Sequence, residues 1–222
     1  MMVSLHLLTS IMDETLKKIL LQAFILFTKY GIRNVSMDDI AAHLGVSKKT
    51  LYQHIDNKAE LIHKAVAMHL SNECDVTNEL FDSAPNAIEE MLSIADHVCR
   101  QLSMMHPSAI FELKKYYPES WELLENHRSQ HIYGSIVQNI TKGIKQGLYR
   151  SDLKPELIAR FYIAKSRILV GDDFFAKTEY RPTEIMLEMM QYHIYGIATP
   201  EGVAYFQKNV EKIKNQKYAP YF

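Results

Sequence analysis

The chain has little of what stabilises a small cross-linked fold or holds a metal through thiolates. Its two cysteines, Cys74 and Cys99, lie far apart and form no C-x-x-C pair. We therefore expect neither a disulfide framework nor a zinc site, and a reducing compartment fits best. No apolar run approaches the roughly 18 residues that a membrane helix needs, and the first residues lack a basic region followed by a cleavage site. The sequence predicts a cytoplasmic protein with no membrane partner.

The motifs of common enzyme classes are also missing. The sequence contains no glycine-rich phosphate loop, no nucleophile elbow and no H-E-x-x-H zinc motif. His97 and Cys99 would face opposite sides of a helix, and no acid or second cysteine completes a metal shell beside them. We expect no catalytic residue, no metal and no cofactor.

Helical periodicity is the dominant pattern in the first eighty residues. Apolar residues recur at three- and four-residue steps until Gly31, which suits a left-handed helix end. Ser36, followed by Asp39 three residues later, resembles a capping box, and Ser47 can cap the next helix. The predicted helices cover 13–30, 36–44, 48–55 and 58–80.

Prolines stand at the predicted starts of helices in the rest of the chain. Each of four prolines stands where the first turn of a helix tolerates it and precedes a segment of helical period: Pro85, Pro118, Pro155 and Pro182. No segment with strand period competes. The sequence predicts an all-α fold with an N-terminal three-helix helix-turn-helix domain over 1–57, a connecting helix over 58–82 and a C-terminal helical bundle over 83–222.

Two short helices joined by a tight turn at 45–47 are typical of a DNA-reading helix-turn-helix, in which the second helix enters the major groove. The face of the second helix that is free of packing carries cations, hydroxyls, an amide and an aromatic ring: Lys48, Lys49, Thr50, Tyr52, Gln53 and His54. Such groups bond phosphate oxygens and base edges. From Gly45 to Lys58 three lysines stand against one acid, a balance of +2 in a chain of net charge −1.

The stretches 27–31, 35–47 and 50–61 closely resemble the tetracycline-repressor (TetR) family. Members usually have phenylalanine where this chain has Ile55, and often a lone basic residue followed by glycine at Lys48 and Lys49, so the base-reading surface is expected to differ here. The resemblance implies phosphate contacts from Ser36, Tyr52, His54 and Lys58, and base or groove-edge contacts from Lys48, Lys49 and Thr50.

Each of these residues, taken singly, also has a plainer interpretation. Ser36 and Thr50 can cap or decorate helices, Tyr52 can be packing, and the lysines can form a solvated face. Together, at this spacing, they favour DNA binding. An enzyme and a purely structural helical adaptor are the rival classes, and neither explains such residues on the open face of a three-helix head.

The resemblance also implies a homodimer and a small-molecule effector. A single reading helix discriminates too weakly to find an operator, which independently favours a two-fold dimer on double-stranded DNA. The last two long helices supply the interface candidates Phe161, Ile168, Met186, Met189 and Met190. The central region supplies the pocket candidates Met104, Met105, Phe111, Tyr117, Trp121 and His131.

Both sets of candidates can equally be ordinary core, since methionine and aromatic stripes fill cores more often than they bind ligands. The mainly apolar character of the central set suits a largely apolar ligand with few polar anchors. We therefore expect a sequence-specific transcriptional regulator, a repressor that an unidentified effector releases from its operator. The C-terminal bundle would sense that effector and dimerise.

Overall fold

The computed structural model describes residues 13–167, 179–214 and 216, and helices account for most of them. A π-helical turn, Arg128–Ile132, joins the seventh helix to the eighth. The helices are α1 Glu14–Tyr30, α2 Met37–Leu44, α3 Lys48–Tyr52, α4 Lys58–Ser83, α5 Ala87–Met104, α6 Ala109–Tyr116, α7 Pro118–His127, α8 Tyr133–Lys145, α9 Pro155–Ser166, α10 Pro182–Ile197 and α11 Pro200–Lys214. The predicted all-α class is confirmed.

Local sequence signals account for most helix ends. Asp13 caps α1, and Ser36 and Asp39 form the predicted reciprocal capping box at the start of α2. Helix α3 ends at Tyr52, three residues before the predicted end, because the chain closes a final turn there before α4 is capped. No local pattern predicts α6, whose preceding residue Ser108 makes no side-chain cap bond.

The described residues form two compact units. The first contains the described residues up to Val76 together with Met105–His127; the second contains Thr77–Met104 and the described residues from Arg128 onward. This division differs from the predicted boundaries at 57 and 82, because α6 packs against α1. Leu113 of α6 joins the core of the first unit.

The core of the first unit lies between α1, α2, α3 and the first turns of α4. Leu20 and Ile40 are fully buried there, as is Leu51 from the short helix α3. Burial of apolar side chains is worth about 25 cal/mol per Å² removed from water. Because Leu51 is the buried anchor of a five-residue helix, that helix depends on tertiary packing for its stability.

The second unit has its own apolar core with one buried polar network. The Asn139 amide donates to the carbonyl of Ala87 and to Glu90, at 2.7 and 2.6 Å, while Tyr149 donates to the Asn139 oxygen at 3.2 Å. Lys142 pairs with the other Glu90 oxygen. These mutual bonds satisfy the buried carboxylate, which would otherwise be costly in an apolar interior.

Within the part of the chain that the structure describes, no helix is both long and apolar enough to cross a membrane. The same residues hold no group of three or more histidine, cysteine or acidic side chains placed to bind a metal ion.

Candidate nucleic-acid interface

A left-handed glycine and backbone hydrogen bonds fix the turn between α2 and α3. Gly45 has φ 68°, a conformation that a side chain would strain. Its N–H donates to the carbonyl of Ala42 at 3.1 Å, and the N–H of Val46 donates to that of Ala41 at 3.0 Å. Ser47 then caps α3 by accepting the N–H of Thr50 at 3.0 Å. The turn therefore presents α3 in the arrangement expected of a helix-turn-helix.

One side of α3 is committed to packing, which leaves the opposite side to solvent. Leu51 and Ile55 are buried against Ile40 and Ala41 of α2. We call the opposite side the reading face and define it by Lys48, Lys49, Thr50, Tyr52, Gln53 and His54. Tyr52 is 47% exposed and both lysines are exposed.

The two lysines of the reading face differ in their partners. Lys48 Nζ lies 2.5 Å from Asp38 Oδ2, and this pairing raises the pKa of Lys48. Lys49 makes no ion pair with any described residue. Because solvent screens an exposed ion pair and makes it weak, Lys48 can exchange Asp38 for a phosphate. Lys49 is available without that exchange.

Thr50 and His54 are more constrained than the lysines. The hydroxyls of Ser47 and Thr50 are 2.8 Å apart and share a hydrogen bond. His54 Nδ1 lies 3.8 Å from Asp13 Oδ2, which makes an ion pair when the ring is protonated. Thr50 is half-buried, so its exposed atoms reach only a partner that approaches closely.

Ser36 already uses both its donor and its acceptor. Its hydroxyl donates to Asp39 Oδ2 at 2.6 Å and accepts the N–H of Asp39 at 3.1 Å. The same carboxylate oxygen accepts the N–H of Ser36 at 2.8 Å. Donation from the Ser36 side chain and backbone lowers the pKa of Asp39. The capping interpretation of Ser36 is thus directly visible, and a phosphate contact would have to replace one of these bonds.

Lys58, at the first turn of α4, is held against the turn between α1 and α2. Its ammonium donates to the carbonyl of Ile32 at 2.5 Å and lies 5.7 Å from the centre of the Phe27 ring. Partial burial lowers the pKa of Lys58, while the carboxylates of Glu112 and Asp39 oppose the shift. The ammonium has two further donors, so it can also meet a phosphate.

The acidic residues that interact with these two lysines could not be predicted from the sequence. Asp38 precedes its partner Lys48 by ten residues, and Glu112 is separated from Lys58 by more than fifty. No periodicity or motif connects residues so distant in sequence. Only the tertiary packing of α2 against α3, and of α6 against α1, brings them together.

The predicted effector-pocket residues are divided between the two units. Met105, Phe111, Tyr117 and Trp121 belong to the first unit, and Met104 and His131 to the second. Phe111 is 54% exposed, whereas Tyr117 and Trp121 are half-buried against the core of the first unit. Their role in binding an effector stays a prediction.

The predicted dimer residues also differ in environment. Phe161 on α9 is 55% exposed and Met189 on α10 is half-buried. Met186 and Met190 are 1% and 0% exposed inside the core of the second unit, so we assign them to that core. Ile168 lies outside the described residues.

His193 is a buried polar group in the second unit. Its Nε2 atom has no hydrogen-bond partner among the described residues, and its ring meets that of Tyr162 edge-on at 4.9 Å. Burial, with a smaller contribution from the positive charge of Lys165, lowers the pKa of His193 to about 3. Burial raises the pKa of Tyr162 to about 12. Both side chains are therefore neutral at physiological pH.

A comparison with known protein families finds a match in the N-terminal helix-turn-helix region, which we call the head. Residues 19–65 match the family model described as "Bacterial regulatory proteins, tetR family". This range contains most of α1, all of α2 and α3, and the start of α4, including the reading face.

Individual relatives extend the similarity beyond the head. The chain is 23% identical over 186 residues to the HTH-type transcriptional regulator YvaF of Bacillus subtilis, which covers 83% of this chain and 96% of that protein. It is 23% identical to the HTH-type transcriptional repressor KstR2 of Mycobacterium tuberculosis, over 61% of this chain and 70% of that one. The solved regulator FadR of Bacillus subtilis, in complex with stearoyl-CoA, is similar with a TM-score of 0.61 and 16% identity, covering 82% of this chain and 98% of FadR. That last likeness shows the fold.

Proposed function

Because this chain belongs to the tetR family of bacterial transcriptional regulators, we propose that it is a repressor that binds double-stranded operator DNA and leaves it when a small effector binds. The observation that carries this proposal is the exposed reading face of α3, whose other side is fixed to α2 by Leu51 and Ile55. A regulator of bacterial transcription acts where the chromosome is, so we propose a cytoplasmic location.

The proposed DNA contacts fall into two groups. Lys48, Lys49 and Thr50 would reach base edges or the groove, where a lysine pairs with guanine oxygen and nitrogen acceptors. The proposed phosphate contacts are Ser36, Tyr52, His54 and Lys58. Ser36 and Lys58 stand at helix N-termini, where the partial positive charge of the helix favours an anion. Phosphate contacts would set the position of α3, and the base contacts would select the sequence.

We further propose that the protein acts as a homodimer through α9 and α10. Exposed large apolar side chains on these two helices support this proposal: Leu157, Phe161, Tyr192 and Tyr195. Neighbouring apolar side chains left in water commonly mark a protein interface. The buried methionines Met186 and Met190 would support the interface from behind.

The effector is proposed to be small and largely apolar. Met105, Phe111, Tyr117 and Trp121 offer apolar and aromatic surface with few charges. The complex of FadR with stearoyl-CoA shows that a protein of this fold takes a ligand with a long apolar chain. The effector can move the protein off DNA only by the difference between its affinities for the two states, about 5.5 kcal/mol for a change from 1:99 to 99:1.

The test is an unbiased selection of DNA from a random duplex library by the full-length protein. We expect recovery of a two-fold symmetric motif whose half-sites lie about one helical turn apart. Selection with a Lys49→Met variant is the control for the reading face and should lose part of that motif. Recovery of no motif by the wild-type protein would contradict the proposal and favour a helical adaptor.

A further inference from the structure

One peptide group in the turn between α1 and α2 is held by ionic side chains at both ends. The carbonyl of Ile32 accepts the ammonium of Lys58 at 2.5 Å, and the N–H of Arg33, which belongs to the same peptide, donates to Glu112 Oε2 at 2.9 Å. We call this arrangement of Lys58, the Ile32–Arg33 peptide and Glu112 the clamp. Its cation comes from α4 and its anion from α6, and all of its members belong to the first unit.

Other contacts hold the anion of the clamp in place. The hydroxyl of Ser108 donates to the second Glu112 oxygen at 2.9 Å. The N–H of His106 donates to the carbonyl of Thr28, at the end of α1, at 2.7 Å. Residues 106–112 therefore contact the end of α1 and the turn that follows it at more than one point.

The turn between α1 and α2 lets residues 106–112 lie close to its backbone. Gly31 has φ 87°, so its backbone conformation favours glycine, and a β-carbon there would crowd the Ser108 hydroxyl oxygen at 3.0 Å. The guanidinium of Arg33 lies 5.0 Å from the centre of the Tyr116 ring. Side chain and backbone of Arg33 thus both bind α6.

Charge at both ends, and burial of Glu112 and Ile32, favour the hydrogen bonds of the clamp. Glu112 is 8% exposed and Ile32 is 5% exposed. Hydrogen bonds to ionised groups are roughly twice as strong as those between neutral groups, and donors and acceptors in a chain polarise one another. A cation on the carbonyl and an anion on the N–H polarise the peptide in the same direction, so each end strengthens the other.

We propose that Glu112 is a positioning residue for operator binding, acting through the Ile32–Arg33 peptide on Lys58 and on the N-terminus of α2. This inference rests on the proposed function. Ser36 follows the clamped peptide by three residues, and Lys58 is itself part of the clamp, so two proposed phosphate contacts depend on it. Phe111, which directly precedes Glu112, and Tyr117, which directly follows α6, are proposed effector contacts. A displacement of α6 would therefore shift the proposed phosphate contacts directly through the clamp, without a displacement of the whole of α4.

The first experiment compares Glu112→Gln with Glu119→Gln, an exposed glutamate on α7, in the full-length protein. Glutamine keeps the shape of the side chain but not its charge. We expect Glu112→Gln to weaken binding to the selected operator about fivefold for each protomer, or about 30-fold for the dimer, at 25 °C, from the difference between an ionic and a neutral hydrogen bond. The Glu119→Gln control should bind as the wild type does.

A double-mutant cycle separates positioning from simple stabilisation. In a Lys58→Met background the Glu112→Gln loss should largely disappear, because both residues act on one peptide. Additive losses, or a lowered melting temperature with unchanged operator affinity, would overturn the inference. If Glu112→Gln melts near 25 °C, Ser108→Ala is the milder variant, with an expected loss of about twofold in affinity.

Hydrogen exchange gives a readout that does not depend on DNA. In the free protein, the backbone amides of residues 28–36 should exchange several-fold faster in Glu112→Gln than in the wild type, and at the wild-type rate in Glu119→Gln. Equal exchange in all three proteins would overturn the inference. Equal binding of operator and random DNA by the wild-type protein would instead contradict the proposed function. That outcome is distinguishable, because it is measured on the wild-type protein without any of these variants.

Discussion

Alanine at Ser36 tests whether the first residue of the helix-turn-helix binds phosphate or only caps α2. The substitution removes the bond that the hydroxyl accepts from the N–H of Asp39 and the one that it donates to the Asp39 carboxylate. Loss of a serine cap costs about 1 kcal/mol. In a chain of this length such a change lowers the melting temperature by about 2–4 °C.

The stability loss alone does not weaken DNA binding. Native domains are stable by about 5–15 kcal/mol, so the variant stays almost wholly folded at 25 °C. If, in the complex with DNA, the Ser36 hydroxyl donates its single hydrogen to a phosphate in place of Asp39, its loss costs about 1 kcal/mol in each protomer. Two protomers then lose about 2 kcal/mol together, or about 30-fold in operator affinity.

Asn86→Ala is the matched control. Asn86 caps α5 in the second unit by accepting the N–H groups of Ile88 and Glu89, each at 3.0 Å. Calorimetry should show similar stability losses for the two variants, and fluorescence anisotropy should show weaker operator binding only for Ser36→Ala. Unchanged operator affinity in Ser36→Ala would refute the phosphate contact and leave Ser36 as a cap.

Three further variants test the roles of Lys48, Lys49 and His193. Asp38→Asn frees Lys48 from its partner, so binding to random DNA should tighten and the salt slope should steepen by about one per protomer in anisotropy titrations; an unchanged slope would contradict this. Lys49→Met should reduce the difference in binding free energy between operator and random DNA by about 1–3 kcal/mol. Equal losses of affinity for both DNAs would exclude base reading by Lys49. His193 has a pKa lowered to about 3 in the folded state, against about 6.5 when unfolded. Below pH 6.5 the unfolded chain therefore binds a proton that the folded protein does not, and the free energy of unfolding decreases as the pH falls toward 3. Urea denaturation should show His193→Gln losing about 3 kcal/mol less stability than the wild type between pH 7 and pH 4; equal losses in the two proteins would contradict this.

The DNA-binding head was the most predictable part of the molecule, since its signals are local. Gly31 and Gly45 end their helices at positive φ, and Ser36 and Asp39 make the expected reciprocal bonds. The helical period of α1 correctly placed its buried face, including Leu20. Each of these features depends on residues within about four positions of one another.

Features that depend on tertiary packing could not be predicted. Helix α6 is short and lacks a side-chain cap, and it is stabilised by burying Leu113 in the core of the first unit. The clamp joins residues from three distant segments, so no sequence pattern contains it. Met186 and Phe161 belong to similar apolar stripes, yet one is buried and the other is exposed, because only packing decides which stripe is core.

Sequence-specific DNA binding is tested most directly by titrating the full-length protein with its selected operator and with random duplex DNA, at about 50 mM and about 200 mM salt. We predict a preference for the operator of roughly 10³-fold or more, with affinities for both DNAs falling steeply as the salt concentration rises. Equal and weak binding to both DNAs at both salt concentrations would contradict it.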